Sequence, residues 1–435
     1  MDDKIFLILP GCDDTNRGDQ ALIWETVSLA RDAGYRGSYY MLSEPDQCAQ
    51  STAEGISQMN YILRHPSARF KKCDNIHYGL GLKLKWTMSA VLDLLTRAPL
   101  THRWSRAILW PVYSKKLKHT LNLFRHADAA FVKGGGFLHA HGSLSDTYKI
   151  YFFLYHIRLA QSFGVPVYVM PNSFGPFYSP LVKGMIRRVL QKCPAVMSRE
   201  TISQEMLLRD CQVASQAYGD LAFHLQGDSD FNPFHVLEQA GIDCRKEKCV
   251  AITARPYRFP GHPNGPERYE AYKTSLATFI FWLSHNGFHP VLVEHVFSDM
   301  DHENDMTCIR QLESILDGKC RFSVFSNRNL TCRQMRQIYS TFSYTVGTRF
   351  HSVIFSLGTG VPSLAITYGG NKGDGIMKDL GLNQFALPIE NLSSDSLIQS
   401  FQTLSAHREC TQQQLHAALD AVHAQREQII RSIRK

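Results

Sequence analysis

Short apolar runs alternate with amphipathic stretches along most of this 435-residue chain. Residues 5–9 (Ile-Phe-Leu-Ile-Leu) form an uninterrupted apolar run closed by Pro10-Gly11, the length and punctuation of a buried strand. Asp19 precedes a periodic segment over 20–33 that ends at Gly34, which predicts a capped helix. Residues 39–42 predict a second strand, and 129–132 a third that opens into Gly134-Gly135-Gly136. An aromatic-rich helix is expected over 148–163, then a strand over 165–170 ended by Pro171.

A second series begins near Cys249. Strands are predicted at 250–253, 290–294, 321–325, 343–346 and 363–367, and helices at 267–286, 303–316, 331–340 and 351–357. Such alternation implies parallel sheets flanked by helices, built twice. The expected fold class is therefore α/β, with two Rossmann-like domains facing one another across a cleft. The expected bounds are 1–225 for the first domain, 226–247 for a Gly/Asp/Asn/Pro-bearing linker, 248–409 for the second domain and 410–435 for a C-terminal helix that packs on the first domain or caps the second.

Length and composition agree with a two-domain globular protein: 44% of residues are hydrophobic and 20% charged. No apolar run approaches the roughly 20 residues that span a bilayer, and the acidic start Met1-Asp2-Asp3 is not a secretory signal. A cytoplasmic protein is expected, at the inner face of the membrane if it binds lipid. The 11 cysteines lack C-x-x-C pairs, so reduced thiols are expected and neither a disulfide framework nor structural zinc. The formal charge of +8 is concentrated in an insertion at about 80–126. There Lys83, Lys85, Arg97, Arg103, Arg106, Lys115, Lys116 and Lys118 are interleaved with Trp86, Trp104 and Trp110. Such a stretch suits peripheral association with an anionic membrane or a lipid-linked partner; a solvated helical face around an ordinary core is the alternative. Nucleic acid is not expected, since no recognition motif accompanies the patch.

Chemistry concentrates at predicted strand ends. Arg349-Phe350-His351-Ser352 lies on a strand-to-helix turn, where backbone N–H groups and the helix dipole favour an anion. Arg349 can grip a carboxylate or phosphate, and His351 can move a proton near neutral pH; an Arg paired with the sheet edge and a capping His are the plainer alternative. Arg199, in Ser198-Arg199-Glu200, and Arg255, in Ala254-Arg255-Pro256, occupy equivalent strand ends. Three such arginines argue for a small, multiply anionic ligand. Asn16 and Asp19 lie in the first strand–helix loop, as sugar ligands or loop-formers. Gly134, Gly135 and Gly136 permit close backbone approach, and His139 follows them. Asp228-Ser229-Asp230 reads as a solvated turn; no metal site is expected. A serine hydrolase is disfavoured because no G-x-S-x-G elbow is present.

The order of these motifs resembles the polysaccharide pyruvyl transferase family. The likeness rests on Asn16-x-Gly18-Asp19-x-Ala21, Gly134 to Gly136, Pro171-Asn172-Ser173-Phe174-Gly175-Pro176 and Ser198-Arg199-Glu200-x-x-Ser203. It continues through Tyr218-Gly219-Asp220-Leu221-Ala222-Phe223, Ile252-Thr253-Ala254-Arg255-Pro256, Gly347-Thr348-Arg349-Phe350-His351-Ser352, and Tyr368 with Lys372. The resemblance implies a GT-B-like pair of domains and transfer of pyruvate from phosphoenolpyruvate to a sugar of a polysaccharide or its lipid-linked precursor, as a ketal. It implies donor binding and catalysis for Arg349 and His351, with His351 as the expected catalytic residue, and donor binding for Arg199; Arg255, Ser352 and Lys372 are expected to help hold the donor. Asn16, Asp19, the three glycines and His139 would then serve the acceptor or the loops. Phosphoenolpyruvate would be a co-substrate, with no organic cofactor or obligatory metal. Residues 137–141 and the basic insertion depart from the family pattern and bear on the acceptor. A GT-B glycosyltransferase using a nucleotide sugar and a non-catalytic glycan- or membrane-binding protein are the competing readings.

Overall fold

A computed structural model describes residues 4–43, 48–64, 79–260, 262–369 and 371–434; the side chains of 371 and 372 lie outside the described residues. The chain divides into two compact units. The first holds Met1–Asp14, Leu22–Gly219 and Arg426–Lys435, the second Thr15–Ala21 and Asp220–Gln425.

In the first unit the strands are β1 (Ile5–Leu9), β2 (Ser38–Leu42), β3 (Ile56–Met59), β4 (Ala127–Val132), β5 (Gly135–Ala140), β6 (Val167–Phe177), β7 (Ala195–Ser198) and β8 (Gln216–Ala217). They lie in the order β3-β2-β1-β4-β6-β7-β8, with β5 against β6. All pairings are parallel. In the second unit β9 (Cys249–Thr253), β10 (His289–Val293), β11 (Ser323–Phe325), β12 (Tyr344–Gly347), β13 (Ser363–Thr367) and β14 (Ala386–Pro388) form a parallel sheet ordered β11-β10-β9-β12-β13-β14. Every residue of β9, β10 and β13 is buried. Burial on both faces explains why these strands read as continuous apolar runs rather than as alternating ones.

Both sheets reverse direction of strand order at one place, between β1 and β4 and between β9 and β12. Ligands of doubly wound sheets bind outside the carboxyl ends of the strands at this switch point. In the first unit Pro10-Gly11 and Lys133-Gly134 follow the two strands concerned; in the second, Ala254-Arg255 and Thr348-Arg349 do.

Several boundaries differ from expectation. The first helix spans Arg17–Asp32 and begins before residue 20. Its cap is Asn16 rather than Asp19: Asn16 Oδ1 accepts from the backbone N–H of Gly18 at 3.1 Å and of Asp19 at 3.3 Å. Strand β6 does not stop at Pro171 but runs to Phe177. Its pairing with β7 shifts register between Val169 and Asn172, so the proline sits where no ladder N–H is required. The run from Gly135 to Ala140, for which no element is predicted, forms β5. The division between units falls at Gly219/Asp220, and the 226–247 segment is packed rather than linking. It carries a helix, Pro233–Gln239, and the Gln337 side chain holds both the N–H and the C=O of Asp228 at 2.9 Å. The C-terminal helix starts at Arg408 and belongs to the second unit through Gln425 and to the first from Arg426.

Candidate active site

The second unit gathers most of the predicted chemistry. Gly347 must be glycine: a Cβ there would lie 2.7 Å from Val353, 2.8 Å from Ser352 and 3.0 Å from Thr253. The tight β12-to-helix turn this permits is pinned by Thr253, whose carbonyl accepts from Thr348 N at 2.9 Å and whose hydroxyl accepts from Arg349 N at 3.3 Å. Tyr272 and Thr348 share a hydroxyl–hydroxyl bond of 2.7 Å beneath it. Ser352 is fully buried, bonded to Thr253 Oγ1 at 2.7 Å and donating to the Arg349 carbonyl at 2.6 Å. It therefore shapes the turn from within.

Arg349 opens the helix Phe350–Leu357. Its Nε donates to Asp305 Oδ1 at 2.6 Å and its Nη2 to the Glu303 carbonyl at 2.5 Å; Nη1 takes no part in these bonds. Asp305 is itself buried and accepts from the N–H groups of Val296 at 2.9 Å and His295 at 3.1 Å. Burial pushes its carboxyl above the ordinary range, against the adjacent Arg349 charge and the two backbone donors. The arginine head is thus fixed in one orientation by a satisfied buried acid.

His351, also buried, stands between two elements. On one side its Nε2 is 3.9 Å from Asp220 Oδ2, and Asp220 is held by its Oδ1 accepting from Ala222 N at 2.9 Å. On the other side lies Gly18, where any Cβ would overlap the imidazole Nδ1 and Cγ. The strip that carries Gly18 is bound to this unit at several points. Asn16 bridges to Val296, and Thr15 O accepts from Phe297 N at 2.9 Å. Arg17 Nη2 donates to Arg328 O at 2.5 Å, and Gln20 Oε1 accepts from Cys332 N at 2.8 Å. Asn16 and Asp19, expected with the first domain, belong here, bonded to each other at 2.9 Å.

Arg255 leaves β9 into an aromatic setting. Its Nη1 donates to Tyr368 OH at 2.5 Å, with the guanidinium 4.8 Å from the Tyr368 ring and 5.8 Å from that of Tyr257. Its Nε is buried and has no hydrogen-bond partner among the described residues. Burial opposes the charge, but Tyr368 and Asp305 outweigh it and the net shift strengthens the cation. Lys372 is the second residue of the helix Asn371–Asp379, and its side chain lies outside the described residues.

The first unit holds the remaining predicted residues. Arg199 is 1% exposed and donates through Nε and Nη2 to Ser173 Oγ, at 3.1 and 2.7 Å. Ser173 donates to Glu200 at 2.7 Å, while Ser203 joins Glu200 to the backbone of Phe174. Arg199 thereby braces the β6 and β7 ends against one another. Asn172 spans the same rim: its Nδ2 donates to Lys133 O at 2.9 Å and Met170 O at 2.8 Å. Its buried Oδ1 has no hydrogen-bond partner among the described residues. Gly134 precedes β5, and Gly135 and Gly136 begin it; at Gly135 φ is 151°, a conformation that favours glycine. His139 makes contacts to Gly136 O at 3.1 Å through Nδ1 and to Lys149 Nζ at 3.0 Å through Nε2. Burial and then Lys149 push its pKa down to about 4, so it is neutral, donating to the carbonyl and accepting from the ammonium.

Sequence reasoning singled out Arg349, His351 and Arg255 but not their partners. Asp220 stood in a Tyr-Gly-Asp stretch and Gly18 beside Asp19, and both were visible only as motif letters. Asp305 carries no motif at all.

The profile of the family described as polysaccharide pyruvyl transferase matches residues 16–370. The chain belongs to the polysaccharide pyruvyl transferase family. All residues of the second unit described above as forming the turn, and the rim of the first, lie inside that match. Among curated relatives, the amylovoran biosynthesis protein AmsJ of Erwinia amylovora is 25% identical over 258 residues, covering 59% of this chain and 61% of AmsJ. The match thus spans under two thirds of that relative's length. Solved structures of similar fold include Alr3699/HepE of Anabaena in complex with UDP-glucose, with TM-score 0.54, 11% identity and coverage of 99% of this chain and 100% of that one. The UDP-GlcNAc 2-epimerase of Neisseria meningitidis bound to UDP-GlcNAc follows at TM-score 0.51 and 10% identity, covering 99% of each chain. At these identities the likeness is one of fold: a GT-B-like α/β architecture of two parallel-sheet domains.

Proposed function

We propose that this pyruvyl transferase family member moves the pyruvyl group of phosphoenolpyruvate onto two hydroxyls of one sugar in a polysaccharide or its lipid-linked precursor, forming a cyclic ketal. The observation that carries the reading is the His351–Asp220 pair at the switch-point rim that also holds Arg349 and Arg255. Phosphoenolpyruvate presents a carboxylate and a phosphate on a small frame, which two oriented guanidinium groups suit. In the reaction the enol carbon C3 takes a proton and becomes the methyl group. One sugar hydroxyl bonds to C2, the C2–O–phosphate bond breaks, and the second hydroxyl bonds to C2. Of the two hydroxyl protons, one balances that placed on C3 and the other leaves with inorganic phosphate. His351 is the group suited to carry these protons, a role worth typically 10²–10⁴-fold. Asp220 would steady the imidazolium while it exists. Arg255 and Nη1 of Arg349 would hold the donor's anionic groups. Arg199 and Ser352, both internally bonded, would act by positioning the rims.

Thermal-shift titration tests the reading. Phosphoenolpyruvate should raise the unfolding midpoint with concentration, as any ligand selective for the native state must, and Arg255→Gln should weaken that shift. His351→Gln should keep the shift yet lose at least about 10²-fold in turnover. Stabilisation by UDP- or GDP-sugars and none by phosphoenolpyruvate would instead mean glycosyl transfer. Full turnover in His351→Gln would end the assignment of that residue.

A further inference from the structure

The basic insertion of the first unit forms helices Leu80–Arg97, Arg103–Leu109 and Lys115–His126. The first of these has two apolar faces. Trp86, Ala90 and Asp93 turn toward the unit, with Asp93 buried and bonded by Tyr148 OH at 2.9 Å. The opposite stripe, Leu80, Leu84, Met88, Val91, Leu92 and Leu95, repeats at helical spacing yet is 49–88% exposed. Trp104, Ile108 and Val112 continue the pattern in the next helical segments at 75–78% exposure. A monomer rarely leaves so many large apolar side chains contiguous in water.

Charge decides what covers them. From Gly79 to His126 there are nine lysines and arginines, of which Arg106 is buried and bonded to Leu100 and Ser162, and the only acid is the buried Asp93. A second copy brought face to face would oppose cation to cation. An anionic lipid surface complements both features, since it accepts apolar side chains below a plane of phosphates. Two cavities on this side of the unit agree. One, of ≈ 840 Å³, is a largely apolar groove lined by Trp86, Leu94, Leu144 and Tyr148, with Lys83, Lys149 and one acid, Asp146, also in its wall. The other, of ≈ 610 Å³, shares Tyr151 and Met185 with the first and is lined by Arg158, Arg188 and Lys192, with no acidic residue. The Tyr151 hydroxyl is buried and has no hydrogen-bond partner among the described residues. No helix among them is long and apolar enough to cross a membrane.

We infer that the 80–112 face docks on the surface of an anionic lipid bilayer, the apolar stripe entering the interface and the flanking cations meeting lipid phosphates. This inference stands apart from pyruvyl transfer and holds for any chemistry at the second unit. The test is co-sedimentation of the full chain with vesicles of phosphatidylglycerol and phosphatidylcholine against vesicles of phosphatidylcholine alone. The chain should sediment with the anionic vesicles only, and less as salt rises. Leu84→Glu with Ile108→Glu should lower the partition coefficient at least about tenfold, and Lys83→Ala with Lys85→Ala by on the order of fivefold per charge. Unchanged melting midpoints would show that both doubly substituted proteins fold. The phosphoenolpyruvate-dependent shift, measured on the same samples, reports separately on the proposed activity. Indifference of the wild type to anionic vesicles, or wild-type binding by both variants, would overturn the inference. So would a dimer in light scattering that Leu84→Glu with Ile108→Glu disperses, because the face would then belong to a second copy.

Discussion

Gly18 and His351 set the terms at the scale of single residues. The imidazole occupies the space a side chain at Gly18 would need, so a glycine in the first turn of the Arg17–Asp32 helix governs where a distant histidine points. Gly18→Ala should rotate His351 off Asp220 and lower kcat by about 10²-fold, with KM for phosphoenolpyruvate little changed; steady-state kinetics on folded variant protein checks it. A matching fall in KM-limited binding with kcat intact would mean that the loop serves the donor instead. Residue type and position made His351 and Arg349 candidates, because a guanidinium and an imidazole on a strand-to-helix turn suit an anionic ligand and a proton transfer. Their immediate partners were not legible. Carboxylates such as Asp305 become partners through burial and register, which leave no local trace in sequence.

Strands and turns carry the next level of constraint. The helix after β12 can begin where it does because Thr253 of β9 holds three groups of the turn at once, and Asp305 locks the guanidinium behind it. Asp305→Asn leaves a buried arginine charge without its counter-ion, so it should destabilise the protein by about 3–5 kcal/mol, read from the urea midpoint. Adding Arg349→Gln should recover part of that loss. In the first unit His156 is buried by the helix Leu144–Ser162, and burial pushes its pKa down to about 3. The unfolded chain therefore binds a proton below about pH 6.5 that the folded one refuses, and stability is lost as pH falls through the window from about 6.5 toward 3. The slope should approach roughly 1.4 kcal/mol per pH unit, and His156→Phe should flatten it in chemical denaturation series at several pH values. Most strands were readable as apolar runs bounded by Pro and Gly. Strand β5 was not, since its opening glycines carry no strand propensity and only the pairing with β6 orders them. Pro171 misled in the opposite sense, being tolerated at a register shift that sequence does not reveal.

For the whole molecule the decisive feature is that neither unit is one continuous stretch. The C-terminal helix returns to the first unit, where Arg426 Nη2 bonds Asp32 at 2.7 Å and the Ile433 carbonyl accepts from Tyr35 OH at 2.6 Å. Ile429, Ile430 and Ile433 are buried beside them. Ending the chain after Gln425 should cost the first unit roughly 1.5–3 kcal/mol for each buried isoleucine lost, seen as a lower melting midpoint and faster proteolysis of the Arg17–Asp32 helix. An unaltered midpoint would show that the last turns are dispensable. Sequence alone determined the class: apolar runs of strand length alternating with capped amphipathic segments admit little besides doubly wound α/β domains, and the ordered motifs point to one family. The tertiary structure decided which residues share a site. It moved residues 15–21 into the unit of His351, turned Arg199 and Ser352 inward, and left one face of the Leu80–Arg97 helix uncovered. The physical reason is that periodicity reports each residue's local environment, whereas contacts between segments far apart in the chain are settled only when each sheet is packed and buried groups such as Asp305 and Arg349 meet.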